Sequence, residues 1–155
     1  MDLELLDWLN TYTFPQEARY EDTEFAKEAY SIFTEDMKKS PNTRACIFGT
    51  LHVPATEILM EQLDKTGIKA MVGKVNMDRN GSPQLQEESA QASADATVQW
   101  IKDTLDKFEN VKPILTPRFT PSCSDELMEK LSEIQKRYHL PMQSCLLYTS
   151  PSPRD

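Results

Sequence analysis

The apolar residues of this chain recur at two alternating spacings, one typical of helices and one of buried strands. Between Glu21 and Lys39 they fall on every third or fourth position, whereas residues 43–50 form one short apolar run. Helices are predicted over residues 1–14, 21–39, 53–67, about 85–108 and 122–139. Strands are predicted over 43–50, 68–77 and 111–119, and 140–144 opens a fourth. We expect the strand at 43–50 to be buried on both faces.

Local signals support several of these boundaries. Gly67 stands where the helix that begins near Val53 needs a C-terminal cap. Ser122 or Ser124 is placed to cap the N-terminus of the helix that ends near His139.

Strands that alternate with helices indicate an α/β protein whose parallel strands are joined by right-handed crossovers. Two architectures fit this order: an open doubly wound sheet, or part of a (β/α)8 barrel. The chain contains neither a GxGxxG nor a GxxxxGK[ST] loop, so the usual evidence for a nucleotide-binding open sheet is missing. A complete barrel typically needs ~250 residues. A barrel interpretation of 155 residues therefore expects further chain elsewhere.

The charge and the cysteine content indicate which partners and which cellular compartment suit this chain. With 17 basic and 25 acidic side chains the net charge is −8, which repels phosphate backbones and argues against a nucleic-acid partner. The three cysteines, Cys46, Cys123 and Cys145, are far apart and fit a reducing compartment better than a disulfide scaffold. No apolar run approaches the ~18 residues of a membrane span. We expect a cytoplasmic protein without a membrane partner.

Ligands of both architectures bind at the C-terminal ends of the strands, which selects three short segments. These segments are Thr50–His52, Asn76–Asp78 and Pro117–Phe119. The last is the most informative, because Arg118 offers a rigid fork of donors to a carbonyl or carboxylate group, and Phe119 offers a flat apolar surface. The alternative is that Arg118 pairs with an acidic neighbour and Phe119 packs under the loop.

The other candidate side chains have structural interpretations. His52 is predicted to cap the helix that follows it or to hydrogen-bond its backbone, and His139 to end a helix. Asp78 could bind a metal or a ligand, although DRNGSP is also an ordinary turn sequence. Cys123 is predicted to be an inert buried thiol. Two scattered histidines without HxH or HExxH spacing cannot build a hydrolytic zinc site.

Beyond these patterns, the chain resembles the guanine deaminase family of the metal-dependent amidohydrolase superfamily. Four stretches carry the resemblance in the family's order and spacing, and they read MDLELLDWLNTYTFPQEARY, TRACIFGTLH, KAMVGKVNMDRN and VKPILTPRFTPSCSDELM. The resemblance implies a partial (β/α)8 TIM barrel, about strands 2–5 with their helices, incomplete at both ends. It also implies zinc-dependent hydrolysis of guanine to xanthine and ammonia in purine catabolism or salvage.

The resemblance assigns few roles within this chain. Arg118 and Phe119 match the family's PRF segment, so they are expected to bind the guanine ring. The zinc ligands and the catalytic Glu of the family fall outside the chain: Gln143 and Ser144 precede the family's HxSEN, but Cys145 follows here. The resemblance therefore implies no catalytic residue and no metal ligand here, an inactive fragment, and a homodimer when complete.

The boundary at Ser144 leads to a division of the chain. Residues 1–144 are predicted to be a partial amidohydrolase barrel domain, and 145–155 a non-native, disordered tail that resembles translated adapter DNA. Two alternatives stay open. The chain could belong to a related amidohydrolase that acts on another purine-like or triazine ring, or it could be a non-catalytic small α/β binding module.

Overall fold

A computed structural model describes residues 5–145, with side chains from Asp7 onward. The α-helices are α1 Leu5–Trp8, α2 Phe14–Ala18, α3 Thr23–Lys39, α4 Val53–Asp64, α5 Ala90–Thr104 and α6 Asp125–Tyr138. The strands are β1 Arg44–Phe48, β2 Lys69–Gly73, β3 Val75–Asn76, β4 Val111–Pro113 and β5 Thr116–Pro117. Residues 146–155 of the predicted tail, and residues 1–4 of the first predicted helix, lie outside the described residues.

The strands form parallel ladders. β1, β2 and β4 pair in that order, and beyond them β3 pairs with β5. The predicted strands 68–77 and 111–119 are thus each divided in two, because the ladders break at Lys74 and at residues 114–115. The predicted fourth strand is represented by one parallel bridge from Leu115 to Met142. The alternation of strands and helices is confirmed.

A glycine permits the close approach of the two divided strands. A Cβ atom on Gly73 would lie 1.7 Å from Oγ1 of Thr116 and 2.9 Å from the carbonyl oxygen of Ile114. Only a residue without a side chain therefore fits at the end of β2.

Among residues 5–145, the helices cover one face of the sheet. Alternate residues such as Ala70, Val72 and Val111 are buried in a cluster with the helices, while Phe48 and Met71 on the other face are about 40% exposed (41% and 39%). The expectation that β1 is buried on both faces is wrong for the described structure, because its residues alternate between half-buried and exposed. The exposed face is the one that would point to the interior of a closed barrel.

The helix boundaries follow side-chain caps. Asp22 accepts hydrogen bonds from the amides of Glu24 (2.9 Å) and Phe25 (3.4 Å), which starts α3 two residues after the predicted Glu21. Ser89 caps α5 through the amide of Ala92 at 3.1 Å. The predicted start of that helix near residue 85 is therefore five residues too early.

The N-terminal segment departs from the single predicted helix. A π-helical turn, Leu9–Thr13, separates α1 from α2, and Pro15 stands in the first turn of α2, where its missing N–H is tolerated. This arrangement buries Leu9 and Phe14. Both join a second apolar cluster at the C-terminal ends of the strands, whose other members are Val75, Met77, Leu85 and Phe119.

Two further cap predictions hold. Gly67 lies in the turn after α4 with a φ of 77°, and Ser124 caps α6 by accepting a hydrogen bond from the amide of Leu127 at 3.1 Å. Within residues 5–145, no helix combines the length and the apolar character that crossing a membrane requires.

Candidate functional site

The two predicted binding residues lie together at the C-terminal end of the sheet, directly after β5. Phe119 is 6% exposed and belongs to the second apolar cluster, while Arg118 is half-buried. Both line a cavity of about 230 Å³. The remaining lining residues are Leu9, Glu17, Phe48, Gly49, Val75 and Cys145.

Arg118 is held by an acidic partner from the N-terminal segment. Its Nη1 donates to both carboxylate oxygens of Glu17, at 2.8 Å to Oε1 and 2.7 Å to Oε2. The guanidinium carbon lies 5.0 Å from the centre of the Phe14 ring, and Nη1 is 3.9 Å from the sulfur of Met77. The structure therefore shows the contacts of the alternative interpretation, an arginine paired with an acid and a buried phenylalanine. Both side chains nevertheless border the cavity.

The geometry leaves part of the arginine fork available. Both hydrogen bonds to Glu17 come from Nη1, and within residues 5–145 Nε and Nη2 of Arg118 make no hydrogen bond. A flat ligand with a carbonyl oxygen or ring nitrogen could accept from these donors, while Phe119 and Phe48 provide apolar surface for its ring. The arrangement is suited to holding an aromatic heterocycle.

The loop that carries Phe119 is fixed by the neighbouring strand–helix loop. Asp78 accepts a hydrogen bond from the amide of Ser124 at 2.7 Å and another from its hydroxyl. Arg79 donates to the carbonyl of Thr120 at 3.1 Å, and Asn80 donates to that of Pro121 at 2.6 Å. The carboxylate oxygens of Asp78, a candidate ligand in the sequence, thus bind the start of α6.

Asn76 anchors the backbone under Arg118. Its carbonyl accepts from the amide of Arg118 at 3.1 Å, and its side-chain amide donates to Ser93 Oγ (2.8 Å) and Thr97 Oγ1 (2.7 Å) of α5. The thiol of Cys123 also donates to this carbonyl, at 3.3 Å. Burial raises the pKa of the Cys123 thiol, in keeping with the predicted inert cysteine.

The structure contains a buried ion pair that the sequence patterns did not indicate, between Lys74 and Glu87. The ammonium of Lys74, whose side chain is 0% exposed, donates to the carboxylate of Glu87, which is 10% exposed. Burial lowers the pKa of Lys74, and the Glu87 carboxylate opposes that shift. Glu87 also accepts from the amide of Met77 at 3.3 Å, so the pair fixes the strand end beside Arg118. The available signal was a lysine inside the apolar stretch IKAMVGKVNM.

The two histidines lie at helix ends. His52 precedes α4, but its side chain makes no capping hydrogen bond, so the predicted cap by the His52 side chain is wrong. Its backbone carbonyl accepts hydrogen bonds from the amide and the hydroxyl of Thr56, at 3.0 and 3.1 Å. Its Nε2 is buried without a partner among residues 5–145, and burial lowers the pKa of the ring. His139 ends α6 as predicted, with a φ of 54°.

The described residues do not assemble a metal centre. Nowhere in residues 5–145 do three His, Cys, Asp or Glu side chains come together as a metal ion would require. These residues therefore do not fit zinc by themselves. Arg118 and Phe119 instead provide a site that is suited to binding an aromatic ring.

Comparison with known proteins defines the class. The model of the amidohydrolase family matches residues 1–147, almost the entire chain, and the chain belongs to this family. The match ends three residues beyond Ser144, so the division of the chain at that residue stays a prediction.

The relatives of this chain include guanine deaminases from animals and bacteria. The guanine deaminase of Rattus norvegicus is 43% identical over 145 residues, which are 93% of this chain and 32% of that protein. The guanine deaminase of Escherichia coli is 33% identical over 138 residues, 87% of this chain and 30% of that protein. The chain thus spans about a third of the length of the relatives it matches.

Solved structures agree with the barrel interpretation. Guanine deaminase from C. acetobutylicum, solved with guanine in its active site, superposes with a TM-score of 0.88 at 47% identity and covers 92% of this chain and 34% of that one. The E. coli enzyme gives a TM-score of 0.81 at 31% identity, covering 93% and 33%. A triazine hydrolase, at 14% identity and a TM-score of 0.74, shares the fold. The expected partial (β/α)8 barrel is confirmed.

Proposed function

We propose that the whole protein carrying this chain is a guanine deaminase. The observation that carries the proposal is the position of Arg118 and Phe119, which border a cavity of about 230 Å³ at the C-terminal end of the parallel strands. In a β/α barrel this end holds the active site. The similarity to guanine deaminases, at 43% identity over 145 residues for those of Rattus norvegicus and Mus musculus, supports the choice of substrate.

In this proposal the two residues bind the purine ring. Nε and Nη2 of Arg118 donate to a carbonyl oxygen or ring nitrogen of guanine, and Phe119 packs against the ring. Guanine and water are converted to xanthine and ammonia, with the water oxygen replacing the exocyclic amine. Arg118 orients the ring for this exchange and transfers no proton.

Zinc belongs to the proposal as the cofactor of the whole protein. Its support is membership of the amidohydrolase family, together with a zinc-bound adenosine deaminase among the proteins of similar fold (TM-score 0.72). Since residues 5–145 bring no three possible ligands together, no step of the reaction is assigned through the metal to the residues of this chain.

The test is guanine hydrolysis by the whole protein with Arg118 replaced. Arg118→Ala is expected to lower kcat/KM for guanine by about ten- to a hundredfold, because a charge-assisted hydrogen bond is worth roughly 1.5–3 kcal/mol. Arg118→Lys should recover little, since an ammonium lacks the planar fork. Arg137→Ala, on the exposed face of α6, is the control.

The outcomes separate the substrate from the site. A zinc-loaded wild type that leaves guanine unchanged, but hydrolyses a triazine or another purine in a substrate panel, would show that the protein is a different amidohydrolase. Unaltered guanine turnover by a folded Arg118→Ala protein would show that the ring is bound elsewhere.

A further inference from the structure

We propose that Glu17 is a positioning residue for Arg118 and a determinant of specificity, which makes the cavity select uncharged rings over anionic ones. This inference rests on the proposed function and deepens it. Arg118 by itself would attract any anion of suitable size. Paired with Glu17, it presents hydrogen-bond donors without a net positive charge.

The geometry fixes the orientation of the guanidinium. Both oxygens of Glu17 accept from one nitrogen, Nη1 of Arg118, at 2.7 and 2.8 Å, so Nε and Nη2 remain on the other edge of the fork. Phe14 lies three residues before Glu17 on α2, and its ring centre is 5.0 Å from the guanidinium carbon. One short helix thus holds the arginine by a ring and a carboxylate on the same face.

Because the pair is buried, the charge of Glu17 acts on a bound ring in addition to orienting Arg118. The side chains of Arg118 and Glu17 are each only 15% exposed, and both border the cavity of about 230 Å³. Screening by water is weak at such a site. A negative charge on a bound ring would therefore meet the Glu17 carboxylate as well as the arginine, whereas an uncharged ring loses nothing.

The experiment compares variants of Glu17 in the zinc-loaded whole protein. Glu17→Gln keeps the shape and an acceptor oxygen but removes the charge. Glu17→Asp keeps the charge, but its side chain is one methylene shorter, so the carboxylate lies farther from Arg118. Glu21→Gln, on an exposed residue of the following turn, is the matched control. The readouts are kcat and KM for guanine, and the binding of hypoxanthine, an uncharged purine, and urate, an anionic one, by calorimetry.

Glu17→Gln is expected to strengthen urate binding relative to hypoxanthine by about tenfold or more, which corresponds to ~1.4 kcal/mol of removed repulsion. It should also raise KM for guanine more than it lowers kcat, because the arginine loses its anchor. Glu17→Asp should keep the wild-type preference for hypoxanthine, and Glu21→Gln should change neither readout. A purely structural Glu17 would alter stability without changing the ratio of the two ligands.

Failure of this inference is distinct from failure of the proposed function. If the wild type hydrolyses guanine and Glu17→Gln leaves the urate-to-hypoxanthine ratio unchanged, Glu17 does not set specificity, although the function stands. If the wild type neither hydrolyses guanine nor binds either purine, the proposed function fails and this inference fails with it.

Discussion

Replacing Glu87 by Gln leaves the ammonium of Lys74 in the protein interior without its counter-ion. Glutamate and glutamine are close to isosteric. Glutamine also keeps an oxygen that can accept the hydrogen bond from the amide of Met77, which Glu87 accepts at 3.3 Å in the structure. The substitution therefore isolates the charge of the pair from its packing. Because Glu87 binds the amide of Met77, which lies beside Arg118, the substitution can also shift this strand end.

The size of the effect follows from burial. The side chains of Lys74 and Glu87 are 0% and 10% exposed, so water cannot take the place of the lost carboxylate. Removing one partner of a buried ion pair typically costs about 3–5 kcal/mol. For a large domain this loss lowers Tm by on the order of 10 °C.

The assay is thermal unfolding of the whole protein with two comparisons. Glu61→Gln breaks an exposed pair with Lys65, whose atoms are 2.7 Å apart and whose side chains are 56% and 69% exposed, and it should cost less than about 0.5 kcal/mol. The double variant Lys74→Met, Glu87→Leu removes both charges, and it should recover most of the stability lost in Glu87→Gln.

The pH dependence gives an independent check. Burial lowers the pKa of Lys74, so the unfolded chain binds this proton more tightly than the folded protein does. The unfolding free energy should therefore rise as the pH rises towards the unfolded pKa of Lys74, ~10.4. The rise should be steeper in Glu87→Gln, because that variant lacks the carboxylate that opposes the pKa shift. The argument would be refuted if Glu87→Gln lost no more unfolding free energy at neutral pH than Glu61→Gln does, and if that loss were the same at pH ~9.5 as at neutral pH.

Two further predictions concern the strand ends. Gly73→Ala should lower the unfolding free energy by about 1–3 kcal/mol, because its Cβ would lie 1.7 Å from Thr116 Oγ1; the added change Thr116→Ala should restore part of the loss in thermal unfolding, and no loss would contradict the close approach. Burial lowers the pKa of His52, so the unfolded chain takes up a proton that the folded ring does not, and stability should fall as the pH drops below ~6.5. His52→Asn should flatten that decline in unfolding measured against pH, whereas parallel profiles would rule out the buried neutral ring.

Local patterns predicted the elements better than their contacts. The order of helices and strands, the cap at Ser124 and the turn at Gly67 follow from residues that are neighbours in sequence, and all are observed. The start of α5 was misplaced because Leu85 is apolar and buried, yet it packs in a loop rather than on a helix. Periodicity reports which positions are buried and does not identify the element that buries them.

The binding site shows the same limit at longer range. Arg118 and Phe119 could be found because a basic fork and a ring follow a buried strand. Glu17, the partner of Arg118, is 101 residues away, in the N-terminal segment. No spacing rule connects the two, because their contact depends on how α2 packs over the strand ends.

Three of the 25 acidic residues therefore have roles that the net charge of −8 conceals. Glu17 holds the arginine, Asp78 binds the start of α6 through Ser124, and Glu87 neutralises a buried lysine. Each carboxylate ties a strand end to a neighbouring segment, so the strand ends near the cavity are held by charge-assisted hydrogen bonds as well as by packing. Such anchoring can fix a ring while the open face of the sheet remains free for the rest of a barrel. Substitution of Glu17, which borders the cavity, should therefore alter binding geometry, whereas loss of Glu87 should lower stability as well.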